Sequence, residues 1–308
     1  MKKKQIFMLF FFMIKIEEFT VFSPAKVNLH LAVKDRRPDG FHDLESVFLT
    51  VNFGDTLYFS VKNEEQSRQS KGFGDDKCEI EGVFIPDNII LKAVSLFREK
   101  TGFSNGLNIR VDKRIPLGGG LGGGSSNAAS ALLAMNKIAG SPLKKIELLE
   151  AGASLGSDVP FFIHETPAAW VTGRGENIEP IEAVKMFLVL VNPGFPSDTK
   201  TAFRLLDEHR KSGTRSEKPG TKNNYIKNSS LLFPNPLFSN DFLDVFPKEQ
   251  RNIYNEIISS LRELGAVYAN LSGAGSTCFG IFEDQEKGKI AADVLQKKWE
   301  FACSCLSV

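Results

Sequence analysis

Six of the seven residues from Gly118 to Gly124 are glycine, and the run passes directly into Ser125-Ser-Asn-Ala-Ala129. Such a backbone reaches positive φ easily and lets its N–H groups come close to a ligand. The Ala-rich stretch that follows favours a helix. A helix starting there adds unpaired N–H donors and the positive end of its dipole. Loop and helix start together form a seat for an anion, a phosphate above all.

The known phosphate loops fit poorly. Gly118, Gly120 and Gly123 satisfy G-x-G-x-x-G, but a dinucleotide fold runs a strand straight into the first glycine and places an acid about 20 residues on. Here Pro116 separates the strand-like residues 107–115 from the loop, and Glu147 lies in helical sequence. A Walker A loop ends in Gly-Lys-Ser/Thr, whereas Gly124 is followed by Ser125. A flexible linker would be bounded by polar sequence, not by an apolar helix.

The stretch Pro116-Leu-Gly-Gly-Gly-Leu-Gly-Gly-Gly-Ser-Ser126 resembles the phosphate loop of the GHMP kinases, which phosphorylate small metabolites such as galactose, homoserine and mevalonate. Two further family motifs stand in order, Ser23-Pro-Ala-Lys-Val-Asn-Leu29 and Leu271-Ser-Gly-Ala-Gly-Ser-Thr277. Asp39-Gly-Phe-His42, Asp112-Lys-Arg-Ile-Pro116 and Leu155-Gly-Ser-Asp-Val-Pro160 are similar to one branch of that family. That branch transfers phosphate from ATP to the 2-hydroxyl of a cytidine diphosphate-linked methylerythritol, in the non-mevalonate route to isoprenoids. The similarity covers nearly all of residues 22–205 and 265–282 and fades in 210–245.

The resemblance implies an α+β, two-domain GHMP kinase fold. Residues 1–172 would form an ATP-binding and catalytic domain with a ribosomal-protein-S5-domain-2-like layer. Residues 173–308 would form the substrate-side domain, a ferredoxin-like α/β layer. ATP and Mg2+ are the implied cofactors, the cytidine diphosphate-linked methylerythritol the implied small-molecule partner, and the cytoplasm the implied location.

Composition sets the class. The 308 residues suffice for two domains. A net charge of +1 gives no electrostatic case for nucleic acid. Cys78, Cys278, Cys303 and Cys305 lack the spacing of a paired metal site and read as reduced core residues. Met1-Lys-Lys-Lys and the apolar residues 6–14 imitate a signal peptide, but the apolar run is too short for a bilayer and no small-x-small site follows. Residues 1–16 therefore read as an extension ahead of the family's usual start, or as a start codon placed too early.

Residues 18–23, 27–33, 46–53 and 56–61 are rich in β-branched and aromatic side chains and read as strands. Residues 63–76 read as a polar loop. Ile89, Ile90, Ala93, Val94 and Phe97 have helical spacing behind an Asp87/Asn88 start signal. Residues 125–138 and 143–153 read as helices and 170–172 as a short strand. Strand 187–191, helices 199–207 and 249–264, strands 267–271 and 277–282, helix 286–298 and strand 301–305 follow. Their order predicts a ferredoxin-like layer. Residues 209–230 read as a solvated or disordered insert.

Phosphoryl transfer needs charge neutralisation, in-line positioning and a group to take the hydroxyl proton. For the nucleotide, the resemblance implies Pro116, Gly118, Gly119, Gly120, Leu121, Gly122, Gly123, Gly124, Ser125 and Ser126, with Asn88 and Lys113 nearby. Ser125 and Ser126 read equally as N-caps, and Asn88 as a helix cap. No residue is assigned as a metal ligand.

Alone, Lys26 reads as a surface charge after a Pro-Ala turn, and Asp158 as a turn or capping residue. The resemblance implies a catalytic pair instead, with Asp158 as the base for the acceptor hydroxyl. A nearby cation would hold that carboxylate ionised and favour a developing alkoxide. Asn28, Phe41, His42, Asn127, Thr199, Phe203, Gly273, Gly275 and Thr277 are the implied substrate residues. Phe41 and Phe203 would stack on a base from opposite sides and His42 would bond its edge. Core packing is the alternative for either phenylalanine. Two competing functions remain open, a GHMP kinase for another small alcohol and a non-catalytic nucleotide sensor on the same fold.

Overall fold

Two long antiparallel strands, β1 (Phe19–Arg36) and β2 (His42–Val61), organise the first half of the fold. The sequence divides each in two, but both are continuous. The pairing slips instead, so that Pro24 faces Gly54 while Ala25 faces Val51. A bulge of this kind absorbs a proline without ending the ladder. Pro24 and Ala25 are thus strand residues, and no turn precedes Lys26.

The structure is a computed structural model and describes residues 18–62, 76–81, 85–211, 222, 225–227, 230–231, 235 and 237–308. The extension at 1–16, nearly all of the loop at 63–76 and much of the insert at 209–230 lie outside the described residues. After β2 the chain runs β3 (Lys77–Ile80), α1 (Ile89–Thr101), β4 (Leu107–Asp112), α2 (Gly123–Ile138), α3 (Lys145–Leu155), α4 (Val159–His164), β5 (Ala168–Thr172) and β6 (Asn177–Ile181). Then follow β7 (Phe187–Asn192), α5 (Thr199–Lys211), the short pair β8 (Ile226–Lys227) and β9 (Ser230–Leu231), and α6 (Lys248–Glu263). The chain ends with β10 (Tyr268–Leu271), β11 (Cys278–Phe282), α7 (Gln285–Leu295) and β12 (Phe301–Leu306).

β2 is the spine of the first sheet. β1 lies along one edge, and β4 and β5 share the other, against its second and first halves respectively. β3 joins β4 in parallel and β6 joins β5. Side-chain alternation sorts the two faces. Ala169 and Val171 point to the helices α1–α4, whereas Ala168 and Trp170 point the other way. That second face, with Val27, Leu29, Val47, Leu49 and Val51, packs on Leu188, Leu190, Phe279 and Ile281 of the second sheet.

The second sheet has the order β10-β11-β7-β12 with every pairing antiparallel. α6 and α7 cover its outer face through Tyr254, Ile257, Leu261, Ala291 and Leu295. The result is four layers, helices on each outside and two sheets between them, with the ferredoxin-like arrangement in the second half. The last residues close the stack, Val308 N–H donating to the Thr50 carbonyl at 3.1 Å. All four cysteines are free thiols. No helix among the described residues is long and apolar enough to cross a membrane.

The segment read as a solvated insert contains a core residue. Tyr225 is fully buried, its ring stacked on His30 with centroids 4.3 Å apart and 5.7 Å from Trp170. One large aromatic ring in a polar run supplies enough apolar area to pin its segment to the sheet.

His30 itself is buried, and its Nδ1 accepts from the Ser239 N–H at 3.2 Å. Burial pushes the imidazole down to about 4. The folded protein therefore holds His30 neutral where the unfolded chain protonates it. Stability from this site is complete above pH 6.5 and falls as pH drops towards 4, because the unfolded state then binds the extra proton. Between pH 7 and pH 5 the loss is about 2 kcal/mol. Urea melts of the wild type and His30→Phe at the two pH values test this. The substitution should remove that part of the pH dependence, and an identical dependence in both proteins would refute it.

Candidate active site

The glycine run crosses the top of the two sheets, and its carbonyls are all engaged. Gly118 O accepts from Ser197 N–H at 2.9 Å, Gly119 O from Thr277 N–H at 3.1 Å and Leu121 O from Lys26 N–H at 3.0 Å. Gly120 O accepts from Ser272 Oγ at 3.0 Å. The N–H groups of residues 120–125 have no protein partner among the described residues. With the carbonyls turned into the protein, these donors form an anion nest at a helix start.

Two glycines are required by geometry. Gly120 has φ 73°, and a Cβ there would lie 2.2 Å from the Ser272 carbonyl. Gly122 has φ 70° and is the N-cap of α2, so the helix begins at Gly123, ahead of the expected residue 125. Ser125 and Ser126 therefore sit inside the first turn and do not cap it. Ser125 faces the cleft, whereas Ser126 is fully buried and accepts from Ser23 Oγ at 2.8 Å.

Lys26 leaves β1 directly below the loop. Its Nζ lies 2.7 Å from Asn28 Oδ1, 3.4 Å from Asp158 Oδ2 and 4.5 Å from the centre of the Phe48 ring. The lysine side chain is 5% exposed and the aspartate 31%, so the pair is anchored on one side and open to the cleft on the other. Asn28 is also held from behind, donating through Nδ2 to Ser46 Oγ at 2.9 Å. Both its polar atoms thus have protein partners, and it orients Lys26. Asp158 stands at the start of α4, a short helix the sequence did not suggest. Its side chain makes no capping bond and faces the cleft.

A buried anchor lies beneath the loop. Asp55 of β2 is fully buried and accepts four hydrogen bonds. Lys113 Nζ donates at 2.6 Å, Asn127 Nδ2 at 2.9 Å, and the N–H groups of Arg114 and Ile115 at 2.8 Å each. Burial lowers the Lys113 ammonium while Asp55 opposes that shift. Asn127 consequently lies under the loop, its amide donating to Asp55 and Ser23. Asn88 caps α1, accepting from Ile90 N–H at 2.9 Å. Neither residue lines the cleft, nor do Ser126, Gly275 and Thr277. Thr277 packs under Gly119.

The cleft has a volume of about 840 Å³ and runs from the loop to an aromatic wall. It gathers Lys26, Asn28, Asp158, Lys113, Phe41, His42, Thr199, Phe203 and Gly273 with the loop. Phe41 is 54% exposed, with the Arg174 guanidinium 5.0 Å from its ring centre. His42 stacks on Phe203 at 5.1 Å. Thr199, Phe203 and Asp207 recur every four residues and share one face of α5. The motifs of the sequence do not mark Arg174 and Asp207 in the cleft or Asp55 beneath the loop. For Asp207 the helical spacing from Phe203 was the available signal, whereas Asp55 and Arg174 had none. Among the described residues no group of three or more His, Cys, Asp or Glu comes together to cage a metal.

Asp55→Ala would strand the buried Lys113 charge and should cost about 3–5 kcal/mol in a urea melt. A loss under ~1 kcal/mol would contradict the anchoring role. Gly120→Ala should weaken ATP binding about tenfold or more by calorimetry, and unchanged affinity would remove the loop from the nucleotide site.

Comparison with known proteins fits this geometry. The family model "GHMP kinases N terminal domain" matches residues 88–166, and "GHMP kinases C terminal" matches 244–300. A protein of Syntrophus aciditrophicus (strain SB) named 4-diphosphocytidyl-2-C-methyl-D-erythritol kinase is 35% identical over 93% of this chain and 98% of its own. A crystal structure of 4-(cytidine 5'-diphospho)-2C-methyl-D-erythritol kinase superposes with a TM-score of 0.77 at 29% identity, covering 94% of this chain and 100% of that one. Homoserine kinase from Cytophaga hutchinsonii shares the fold at TM-score 0.62 and 15% identity, over 95% of each chain. The chain belongs to the GHMP kinases, in the family of the 4-diphosphocytidyl-2-C-methyl-D-erythritol kinases.

Proposed function

We propose that the protein transfers the γ-phosphoryl group of ATP to the 2-hydroxyl of 4-diphosphocytidyl-2-C-methyl-D-erythritol, the compound in its relatives' names. The observation that carries this is one continuous cleft. It joins an anion nest, an ionisable pair and an aromatic wall fit for a base. A sugar or homoserine kinase has no use for such a wall. In this scheme residues 1–172 form the ATP-binding and catalytic domain and 173–308 the substrate-side domain, with β6 joined to the first by its pairing. In this reading the enzyme works in the cytoplasm, where ATP is available as phosphoryl donor.

The unpartnered N–H groups of residues 120–125 hold the phosphates of ATP. Asp158 accepts the proton of the attacking hydroxyl, late in the transfer, when a weak base is adequate. Lys26 balances the carboxylate and stabilises the developing oxyanion. Asn28 keeps Lys26 in register. Ser125, which lines the cleft at the start of α2, offers a hard oxygen donor that would suit Mg2+ together with substrate phosphates. Mg2+ would neutralise phosphate charge there. Phe41, His42, Phe203 and Thr199 hold the cytidyl end.

Purified protein should consume ATP with the cytidyl compound and leave mevalonate, homoserine and galactose unused. Asp158→Asn should lower kcat by about 10²–10⁴-fold, and Lys26→Ala should act in the same direction. Turnover of another alcohol instead would keep the loop and the pair but overturn the base-binding wall.

A further inference from the structure

His42, placed above at the cytidyl end, is paired in the cleft with a carboxylate that phosphoryl transfer does not use. Asp207 Oδ1 lies 2.8 Å from His42 Nε2. A carboxylate only accepts, so Nε2 carries the proton. In the neutral ring Nδ1 is then a bare acceptor. Nδ1 has no partner among the described residues, yet it is not sealed in the interior, and His42 lines the cleft. The ring cannot turn over freely. α5 holds it twice, through the face of Phe203 and, one turn later, through Asp207. A half-turn of the imidazole would put a carbon where Nε2 now meets the carboxylate.

Cytosine and uracil differ at one edge. Cytosine presents an exocyclic amino donor, whereas uracil presents a carbonyl oxygen in the same place. A bare Nδ1 accepts from the first and repels the second. Resting on the cytidyl substrate proposed above, we propose that Asp207 is a positioning residue that makes this site select cytosine over uracil, by holding His42 in the Nε2–H form with Nδ1 towards the base. Asp207 touches no reacting atom. It sets the polarity of the atom that reads the base.

Two measurements test this. The first is the ratio of kcat/KM for the cytidine diphosphate-linked substrate to that for its uridine diphosphate-linked counterpart, in wild type, Asp207→Ala and Asp207→Glu. The wild-type ratio should be about 10–100. Asp207→Ala should cut it about tenfold, and Asp207→Glu should restore part of it. Because the ratio is taken within one protein, loss of folded material cancels. The second is a long-range ¹H–¹⁵N spectrum of the histidine rings. It should read His42 as the Nε2–H form in wild type and as a mixture in Asp207→Ala, which a purely structural role would not produce. An unchanged ratio in Asp207→Ala, or a wild-type ring protonated at Nδ1, overturns the inference while the kinase assignment stands. A wild type inactive on both substrates overturns the assignment and the inference with it, even where the spectrum still shows the pair.

Discussion

The Asp55 carboxylate has no contact with solvent, and the cleft is arranged around it. A buried charge is tolerated only when partners replace its lost water. Here the partners come from three places in the chain, the Lys113 ammonium, the backbone at residues 114–115 and the Asn127 amide of α2. That convergence fixes where β4 ends, where the glycine run begins and how α2 leaves it. Ser23 on β1 completes the set by joining Ser126 and Asn127. A hydrophobic residue at position 55 would leave those donors unpaired, each a cost of about 1–3 kcal/mol.

The loop above depends on that base and on contacts from the far half of the molecule. Ser197, Ser272 and Thr277 take up three of its carbonyls, and Lys26 takes a fourth. Turning the carbonyls inward leaves the N–H groups outward, so the anion nest is a product of packing between the two sheets. The same packing explains why side chains are excluded at Gly120, where the Ser272 carbonyl is too close for a Cβ. The anion nest and the fit of the two halves thus rest on the same contacts. A kinase that must keep water from a transferred phosphoryl group gains from such a closed floor.

Much of the fold is legible in the chain. Nearly every expected helix and strand from residue 88 onward exists within a few residues, because apolar spacing and start signals are local. What failed is also physical. Pro24 and Gly54 look like strand breaks, but a register slip lets β1 and β2 run through them. Tyr225 lies in polar sequence and still reaches the core. In the cleft, ordered motifs pointed to the loop, Lys26, Asp158 and His42. They did not separate Asn127 and Ser126, which face inward, from Ser125, which lines the cleft. A helix places neighbours on different faces, and which face meets the cleft depends on what packs behind it.

The sequence by itself determined an anion-binding loop on a helix start, a GHMP kinase arrangement of motifs and an α+β fold. The anion seat follows from glycine content beside helical sequence, which is local, and the family arrangement with its α+β fold follows from the resemblance of motifs placed in order from residue 23 to residue 277. Only the tertiary structure decided that Asp55 anchors the loop, that Asn28 is turned to Lys26 and that Asp207 faces His42 from a helix 165 residues away. Asp55 in its strand carries no mark of its partners, and the helical spacing of Asp207 from Phe203 marks a shared face but not the histidine it meets. Either role exists only once burial has removed water and a second element has brought the donor within hydrogen-bonding distance.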